Sequence, residues 1–486
     1  MKRKILTILA AVLFTLTAIP PCLSGDDATA RSKRHPRYKL VDLSLGGASS
    51  ISLPINRDGV VIGTSCFDAA CTFTHAFRWE GGVLTDLGAL PGENSSIPTW
   101  INDHGRIVGF STNGEIDPLL GAPEIRAVRF RWHGPVTELG NLEGGTESFG
   151  LGLNNRGEAI GVANDTVPDP FSMFGLETET RAIRWRHGMP HDLGTLGGPD
   201  AVADLINDRG QIAGQSYTDS TPNSVTGIPT QHPFLWEKGT MRDLGTLGGT
   251  SAFPQALNSR GQVVGQSNLE GDLKFHPFLW SHGRLKDLGT FGGDDGQAIW
   301  LNDIGEVVGE ADYPLACGPT CGHPQVYRPF LWRHGVMTDL GSVPGAICGF
   351  AYGINSKTQV VGSSGQCHGG TDAFLWESGS IHNLNDLIPS DSSLHLVFAN
   401  FISDRGEIAG TGVPPGVSPY DVDTLGHAYV LIPIRNDRDL VESAGARGSA
   451  AGQSPSFAVS NAVLPSSVAI SKTVARTRLL NRPPLF

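Results

Sequence analysis

The stretch DLGTLGGTSAFPQALNSRGQVVGQSNLEGDLKFHPFLW, residues Asp243–Trp280, contains the pattern that decides the fold. It carries four landmarks: Asp-Leu-Gly, an Asn-x-x-Gly turn, a Gly-x-apolar-apolar-Gly run and a Phe-x-Trp run. Each landmark recurs eight times along the chain. The turn begins at Asn56, Asn102, Asn154, Asn207, Asn258, Asn302, Asn355 and, in the eighth copy, Ser403. The mean period is therefore about 50 residues, which is typical of propeller blades.

Each copy predicts four short strands. The apolar run before Asn is the first, the Gly-x-apolar-apolar-Gly run the second, the Phe-x-Trp run the third, and the run into Asp-Leu-Gly the fourth. Asn-x-x-Gly and Trp-x-x-Gly are hairpin turns, because Asn tolerates the turn start and Gly supplies a positive φ. The pattern predicts an all-β fold, a β-propeller of eight four-stranded blades. A β-solenoid is the alternative, although its coils are usually shorter and do not carry two hairpins.

The two ends of the repeat region predict how the ring closes. The last copy has an aromatic strand ending at Tyr429 but no Asp-Leu-Gly strand after it, while a spare strand, Tyr38-Lys39-Leu40-Val41-Asp42-Leu43, precedes the first copy. We expect residues 38–44 to pair beside residues 426–431, since an N-terminal strand that completes the last blade removes both open sheet edges.

The combined pattern resembles the extracellular HAF-repeat family, whose motif stands here as His75-Ala76-Phe77. The match covers roughly residues 38–432 and rests on all four landmarks together. It departs from the pattern at Val128 and Asp372, which replace the His, and at Ser403, which replaces the Asn. The resemblance implies an exported repeat protein whose biochemical role is not established, and it supplies no catalytic residues.

The segments outside the repeats predict export and a disordered tail. Residues 1–30 have the basic start and short apolar stretch of a signal peptide, with cleavage expected after Ser24 or Ala30. Residues 31–435 form the eight-unit domain. Residues 436–486 are rich in Ser, Ala and Gly and are expected to be disordered. No later segment is long and apolar enough to span a membrane. We therefore expect an extracellular or periplasmic protein.

Six cysteines remain after removal of the signal peptide, and an even number in an exported protein favours disulfides. Their positions within the repeat predict the pairs Cys66–Cys71, Cys317–Cys321 and Cys348–Cys367. A zinc site is the alternative, but no Cys-x-x-Cys pair has a matching second pair.

The position four residues before the Trp often holds a basic side chain, and the Asp of Asp-Leu-Gly follows seven residues after the Trp. A tight hairpin makes the two cross-strand neighbours. The expected pairs are His75–Asp86, Arg181–Asp192, His232–Asp243, His276–Asp287 and Arg328–Asp339, with Arg129–Glu138 in the second copy and His427–Asp42 across the chain ends. A metal ring of histidines is the alternative, but repeated residues in a propeller stand far apart.

The candidate ligand surface includes Trp100 and Trp300, which break the repeat two residues before the turn Asn. Packing in the core is the alternative for both. The repeated Phe and Trp are expected to pack between blades rather than to stack on sugars. No motif identifies a catalytic residue, a cofactor site or a metal site.

The connections between the second and third strands vary most in length, and variable loops on a rigid repeat are where binding usually occurs. We call these connections the variable-loop rim. It comprises residues 64–74, 110–127, 162–180, 215–231, 266–275, 310–327, 363–371 and 411–426.

The net charge of −12 argues against a nucleic-acid backbone as the main partner. We expect a monomeric, non-catalytic binding or scaffold propeller for a glycan or a surface protein. An exported polysaccharide hydrolase is one alternative, although no non-repeated pair of carboxylates stands out. A purely structural surface protein is the other.

Overall fold

The structure is a computed structural model that describes residues 37–66, 70–92, 95–314, 326–367 and 369–434. The predicted signal peptide, the pair Cys317–Cys321 and the predicted tail lie outside the described residues.

Thirty-two strands make up almost all of the regular structure, four to each repeat. The first strands are β2 (Ser50–Ile55), β6 (Ser96–Ile101), β10 (Ser148–Leu153), β14 (Ala201–Ile206), β18 (Gly248–Leu257), β22 (Gly296–Leu301), β26 (Cys348–Ile354) and β30 (His395–Ile402). The second strands are β3 (Val61–Cys66), β7 (Ile107–Ile116), β11 (Ala159–Pro168), β15 (Ile212–Pro222), β19 (Val263–Leu269), β23 (Val307–Asp312), β27 (Val360–Gln366) and β31 (Ile408–Val413).

The third strands carry the Phe-x-Trp run and the fourth strands lead into Asp-Leu-Gly. The third strands are β4 (Thr74–Glu80), β8 (Pro123–Phe130), β12 (Thr178–Arg186), β16 (Pro229–Glu237), β20 (Phe275–Ser281), β24 (Tyr327–Arg333), β28 (Gly369–Glu377) and β32 (His427–Pro433). The fourth strands are β1 (Tyr38–Asp42), β5 (Val83–Gly88), β9 (Thr137–Glu138), β13 (Met189–Asp192), β17 (Thr240–Asp243), β21 (Arg284–Asp287), β25 (Val336–Asp339) and β29 (Ser380–Asn383). Two 3-10 turns (Leu384–Asp386 and Pro419–Asp421) and a one-turn helix, α1 (Val422–Leu425), complete the described elements.

Within each repeat the four strands pair antiparallel in the order first, second, third, fourth. Six repeats form separate four-stranded sheets. The fourth and fifth repeats share one eight-stranded sheet, because a single parallel bridge joins Gln231 to Ser251. The predicted all-β class and the four antiparallel strands of each repeat are confirmed.

The sheet of the eighth repeat is built from both ends of the described chain. β1 pairs antiparallel with β32, so that Tyr38 lies opposite Pro433 and Asp42 lies opposite Tyr429. The sheet order is β1-β32-β31-β30. The expected pairing of the N-terminal strand beside the last aromatic strand is thus present in the structure.

Each first strand carries a β-bulge just before its turn. In β22, Ala298 lies opposite Gly309 and Trp300 lies opposite the next residue of the partner strand, Val308, so that β22 has one extra residue between them. The first strands of the other seven repeats also have one extra residue here. A bulge re-aims the side chains around it. The residues at this place therefore differ in orientation from a regular strand, and Trp100 and Trp300 stand here.

The core lies between neighbouring sheets. Phe278 and Trp280 of the fifth repeat pack against Ala213 and Leu235 of the fourth, as expected for the Phe-x-Trp runs. The second Gly of the Gly-x-apolar-apolar-Gly run is needed for close pairing within a repeat, since a Cβ at Gly265 would lie 1.8 Å from the Phe253 backbone oxygen in the paired strand β18. Trp132 is the exception: it is 53% exposed, and the Arg78 guanidinium lies 4.4 Å from its ring centre.

Candidate functional site

The repeated basic residues form the predicted pairs with the Asp of Asp-Leu-Gly. The closest distances between the charged groups are 3.1 Å for His75–Asp86, 3.0 Å for Arg181–Asp192, 2.9 Å for His232–Asp243 and His276–Asp287, and 3.0 Å for His427–Asp42. Partial burial opposes ionisation of Asp243, but hydrogen bonds from His232 and from the Gly245 amide hold the pKa of Asp243 below its usual value. Four of these are structural pairs within a hairpin, and His427–Asp42 is the equivalent pair between β32 and β1.

The register of these pairs differs from the one expected. Asp243 lies directly opposite Phe234, and His232 is its diagonal neighbour two residues along the strand. Diagonal neighbours on one face still fall within reach of a long side chain. The His232–Asp243 hydrogen bond therefore forms even though these two residues do not lie directly opposite each other.

Two of the expected pairs are wrong. Arg328 donates to the Ser342 hydroxyl, and the Asp339 carboxylate accepts from the Tyr313 hydroxyl instead. In the second repeat, Arg126 rather than Arg129 approaches Glu138, with 3.7 Å between Nε and Oε1. The short strand β9 places Glu138 opposite Val128, and Arg129 donates instead to the backbone oxygen of Gly157 in the turn of the third repeat.

The turn asparagines form a chain of hydrogen bonds that the sequence analysis missed. Asn207 donates from Nδ2 to the backbone oxygen of Asn258 at 3.0 Å, while its Oδ1 accepts the amides of Arg209 and Gln211. The same bond to the next turn is made by Asn56, Asn102, Asn154, Asn258, Asn302 and Asn355. The recurrence of Asn was the available signal, and its role is to tie neighbouring repeats together.

Trp100 of the second repeat and Trp300 of the sixth repeat lie side by side, although three repeats stand between them in sequence. Their ring centres are 6.3 Å apart and their planes differ by 22°, so that the two indoles stack. Phe401 lies edge-on to Trp300 at 6.3 Å. Both tryptophans also pack against the cores between sheets, as the packing alternative expected. Their role as a ligand surface stays a prediction.

The two indoles border a cavity of about 70 Å³ between the first strands of the second to sixth repeats. We call it the inner cavity. Its wall includes the small residues Gly152 and Ala256 and one carboxylate, Asp204. Burial raises the pKa of Asp204 to about 8. The sequence analysis did not single out Asp204, because an isolated acid near the end of a strand carries no signal of its own.

The variable-loop rim lies at the opposite end of the strands from the inner cavity. Because the strands are antiparallel, the ends of the second strands and the starts of the third lie away from the Asn turns. The largest apolar side chains at the tips of this rim are 57–83% exposed: Ile116, Leu119, Val225, Leu273 and Tyr420. They stand on the rim connections of four repeats, the second, fourth, fifth and eighth.

The described part of this rim is also acidic. At least partly exposed carboxylates are Glu115, Asp165, Glu177, Glu179, Asp219, Glu270, Asp272, Asp421 and Asp423. Its basic side chains are Arg126 and Lys274, which are paired with Glu124 and Asp294. The rim therefore combines apolar tips with an excess of negative charge.

Buried carboxylates hold the longest loop of the rim in place. Asp200, at the start of the fourth repeat, accepts the amides of Met173 (2.5 Å) and Thr180 (2.8 Å). Burial, together with the nearby Asp169, raises the pKa of Asp200 to about 7. Both carboxylates are almost fully buried. Two acids thus converge here, contrary to expectation, but a substrate has no access to them.

Two of the predicted disulfides are present in the described residues, Cys66–Cys71 and Cys348–Cys367. Cys66–Cys71 closes one short loop of the variable-loop rim. Cys348–Cys367 joins the start of β26 to the end of β27 at the same end of the strands. In the part of the chain that the structure describes, no three His, Cys, Asp or Glu side chains are grouped to hold a metal ion. No described helix is long and apolar enough to cross a membrane.

No family model and no curated protein matches the chain. Solved structures do resemble it, among them the following three. They are the β-propeller domain of the Trilobed protease from Pyrococcus furiosus (10% identity, TM-score 0.36, covering 60% of this chain and 85% of that chain), a gluconolactonase from Xanthomonas campestris (12%, 0.30, 71% and 91%) and an ulvan lyase of a polysaccharide lyase family (10%, 0.33, 83% and 99%). At these identities and TM-scores the similarities carry no argument about activity.

Proposed function

We propose that the eight repeats close into an eight-bladed β-propeller of the HAF-repeat type, an exported, non-catalytic scaffold that binds a protein partner through the variable-loop rim. The exposed apolar tips of that rim carry the proposal. The closed ring supplies a rigid base, so that the loops lose little conformational freedom when a partner binds.

Contacts between the first and last repeats support closure of the ring. The Ala428 amide donates to the Ser50 hydroxyl at 2.8 Å, and the Arg405 guanidinium lies 3.0 Å from the Asp58 carboxylate. Leu43, Val61, Phe77, Ala409 and Ala428 belong to one apolar cluster. The same kinds of contact join the other neighbouring repeats, for example between the Ser148 hydroxyl and the Ala127 amide.

Ser403→Asn tests the closure. Ser403 stands where the other repeats have Asn, and its hydroxyl accepts the Arg405 and Glu407 amides within its own turn. In a closed ring, an Asn side chain here can also donate to the backbone oxygen of Asn56. We expect Ser403→Asn to raise the free energy of unfolding by about 1 kcal/mol, measured by chemical denaturation. Asn207→Ser, the reverse change between two interior repeats, should lower it by about 1–3 kcal/mol. A stabilising Asn207→Ser, or a destabilising Ser403→Asn, would contradict the closed ring.

The charge of the rim indicates the chemistry of its partner. Carboxylates outnumber basic side chains at the rim, so a basic surface is attracted to it and a nucleic-acid backbone is repelled. Aliphatic tips such as Leu273 and Ile116 bury well against apolar protein side chains and offer nothing to a neutral sugar. A protein with a basic, partly apolar surface therefore fits better than a glycan. The exposed Tyr420 is the feature that favours a glycan as the second candidate.

The disulfides support export. Bonds of this kind persist in oxidising compartments, which include the periplasm and the extracellular space. The hydrolase alternative gains nothing from the converging acids Asp169 and Asp200, because a glycosidase needs both carboxylates at the substrate.

Model peptides test the binding rim. A Lys/Leu peptide, a Lys/Ser peptide of equal charge and a neutral polysaccharide are each immobilised, and binding of the full chain is measured by interferometry. We expect binding to the Lys/Leu peptide to exceed that to the other two. Ile116→Ser, Leu119→Ser and Leu273→Ser combined should abolish the difference.

A matched control comes from the other end of the strands. Val83, Met189 and Val336 are 61–64% exposed there, and their combined change to Ser should leave peptide binding intact. Equal loss in both triple variants would count against the rim. Stronger binding of the polysaccharide than of the peptide would favour the glycan.

A further inference from the structure

The inner cavity has a composition that the repeat does not explain. At the bulge, two residues before the turn Asn, the second and sixth repeats place Trp100 and Trp300, whereas the third and fifth place Gly152 and Ala256. The large and small residues alternate around the cavity, so that the indoles stack while space remains beside them. Side chains that served only to pack the core would fill this space. Instead, a cavity of about 70 Å³ remains beside the indoles.

Asp204 is the only charged side chain among the residues that line this space. In the described part of the chain no hydrogen bond or ion pair of its carboxylate is present. The side chain keeps some accessible surface because it borders the cavity. A carboxylate without a partner in an apolar enclosure costs free energy. Such a group is typical of a position that meets its partner from outside the chain.

We propose that the inner cavity binds a small organic cation, a methylated ammonium group, beside the stacked indoles of Trp100 and Trp300 and next to the carboxylate of Asp204. This site is independent of the variable-loop rim and lies at the other end of the strands.

The chemistry of the walls selects the charge of the ligand. An ammonium group over an indole face, within about 6 Å of the ring centre, is attracted by the negative face of the ring. The carboxylate compensates the charge directly. The remaining walls, such as Leu205 and Leu257, are aliphatic and match methyl groups better than N–H donors. A quaternary ammonium needs no hydrogen-bond acceptors, and this cavity has only the one carboxylate to offer.

The size of the cavity limits the ligand. A volume of 70 Å³ accessible to water-sized groups holds about five non-hydrogen atoms. Tetramethylammonium has this number of atoms. An anion is excluded by the Asp204 carboxylate. The two indoles stack on each other with centres 6.3 Å apart, so the ligand lies beside the stacked pair.

The ionisation of Asp204 gives the site a pH dependence. Burial raises the pKa of Asp204 to about 8, and no other titratable group contributes to that shift. The carboxyl is therefore protonated below this pH and must lose its proton to hold a cation. Affinity should rise about tenfold for each pH unit below about 8 and level off above it.

Calorimetric titration of the full chain tests the site. Tetramethylammonium chloride is compared at constant ionic strength with sodium chloride and with tert-butanol, a neutral molecule that also has five non-hydrogen atoms. We expect tetramethylammonium to bind with a dissociation constant of about 1 mM at pH 8.5, as a ligand of this size allows. Tert-butanol should bind at least tenfold more weakly. Free trimethyl-lysine and a peptide that contains it, titrated in parallel, distinguish a small solute from a protein side chain as the source of the group.

Variants locate the binding. Asp204→Asn removes the charge and keeps the shape, and Trp300→Leu removes one indole; each should weaken binding at least tenfold. Asp219→Asn, a half-exposed acid of the variable-loop rim, and Trp132→Leu, an exposed indole outside the cavity, should leave it unchanged. Equal affinity for tert-butanol, unchanged affinity in Asp204→Asn, or equal affinity of the wild type at pH 6 and pH 9 would each overturn the proposal. The pH series needs no variant and therefore holds even if a substitution impairs folding.

Discussion

The Nδ1 atom of His427 lies 3.0 Å from the Asp42 carboxylate, although 385 residues separate the two in sequence. The same contact forms within a single hairpin between His276 and Asp287, only 11 residues apart. The sheet of the eighth repeat thus has the same local geometry as the others, although its strands come from the two ends of the described chain. The contact lies where the N-terminal strand β1 pairs with β32.

This contact should make stability depend on pH. The hydrogen bond that His427 donates to the Asp42 carboxylate outweighs partial burial and raises the pKa of His427. A group whose pKa is raised in the folded state adds stability below its unfolded pKa, and this stability is lost as pH rises through the folded pKa. Asp42→Asn should therefore lower the free energy of unfolding at pH 5.5 by about 0.5 kcal/mol, a small value because the pair is partly exposed to solvent. At pH 8.5 the effect should vanish.

Urea denaturation at both pH values measures this difference. Asp58→Asn is the control, because Asp58 meets Arg405 across the same junction and the guanidinium stays protonated throughout this range. An effect of Asp42→Asn that is larger at pH 8.5 than at pH 5.5 would rule out the ion pair.

Two glycine variants distinguish a Gly that close packing requires, Gly265, from a Gly that the turn conformation favours, Gly283. A Cβ at Gly265 would lie 1.8 Å from the Phe253 backbone oxygen, so Gly265→Ala should cost more than about 3 kcal/mol or prevent folding. Gly283 has a φ of +79° and open space around it, so Gly283→Ala should cost only about 1 kcal/mol of backbone strain. Thermal melting of both variants checks the order. A smaller loss in Gly265→Ala than in Gly283→Ala would be inconsistent with this packing.

Glu310 should destabilise the protein at neutral and alkaline pH. Its side chain is buried beside Gln297, and burial raises the pKa of Glu310 from 4.5 to about 8. Since the charged form is disfavoured in the folded state, stability is lost as pH rises from the unfolded pKa towards 8. Glu310→Gln keeps an oxygen that can accept from Gln297 and should add about 1–3 kcal/mol at pH 8, with little change at pH 4.

Chemical denaturation of Glu310→Gln and of the wild type from pH 4 to pH 8 gives the difference in their free energies of unfolding. The titration of other buried acids contributes equally to both proteins and cancels in this difference. Glu115→Gln, at an exposed position near the end of β7, should show no such pH dependence. If Glu310→Gln raised the free energy of unfolding more at pH 4 than at pH 8, the wild-type Glu310 could not be buried in its neutral form.

The sequence by itself determined the hairpins, the four strands of each repeat and most of the His–Asp pairs. These depend on turns of fixed length, and a turn such as Asn258 to Gly261 sets the pairing of the residues that flank it. The same local rule predicted the partner of Asp42, because the N-terminal strand β1 leads into Asp-Leu, as the fourth strands of most other repeats do. It failed at Arg328, where Tyr313 from a variable loop reaches Asp339.

Only the tertiary structure decided what meets between repeats. Asp204 lies about 100 residues from each of Trp100 and Trp300, and the two tryptophans are 200 residues apart. The sequence singled out the tryptophans because they break the repeat, but it had no means to place the acid beside them. The bulge at each first strand turns these side chains, and the packing of five repeats brings them to one cavity. Contacts of this kind depend on how the sheets are arranged about one another, whereas the repeat pattern specifies each sheet from within.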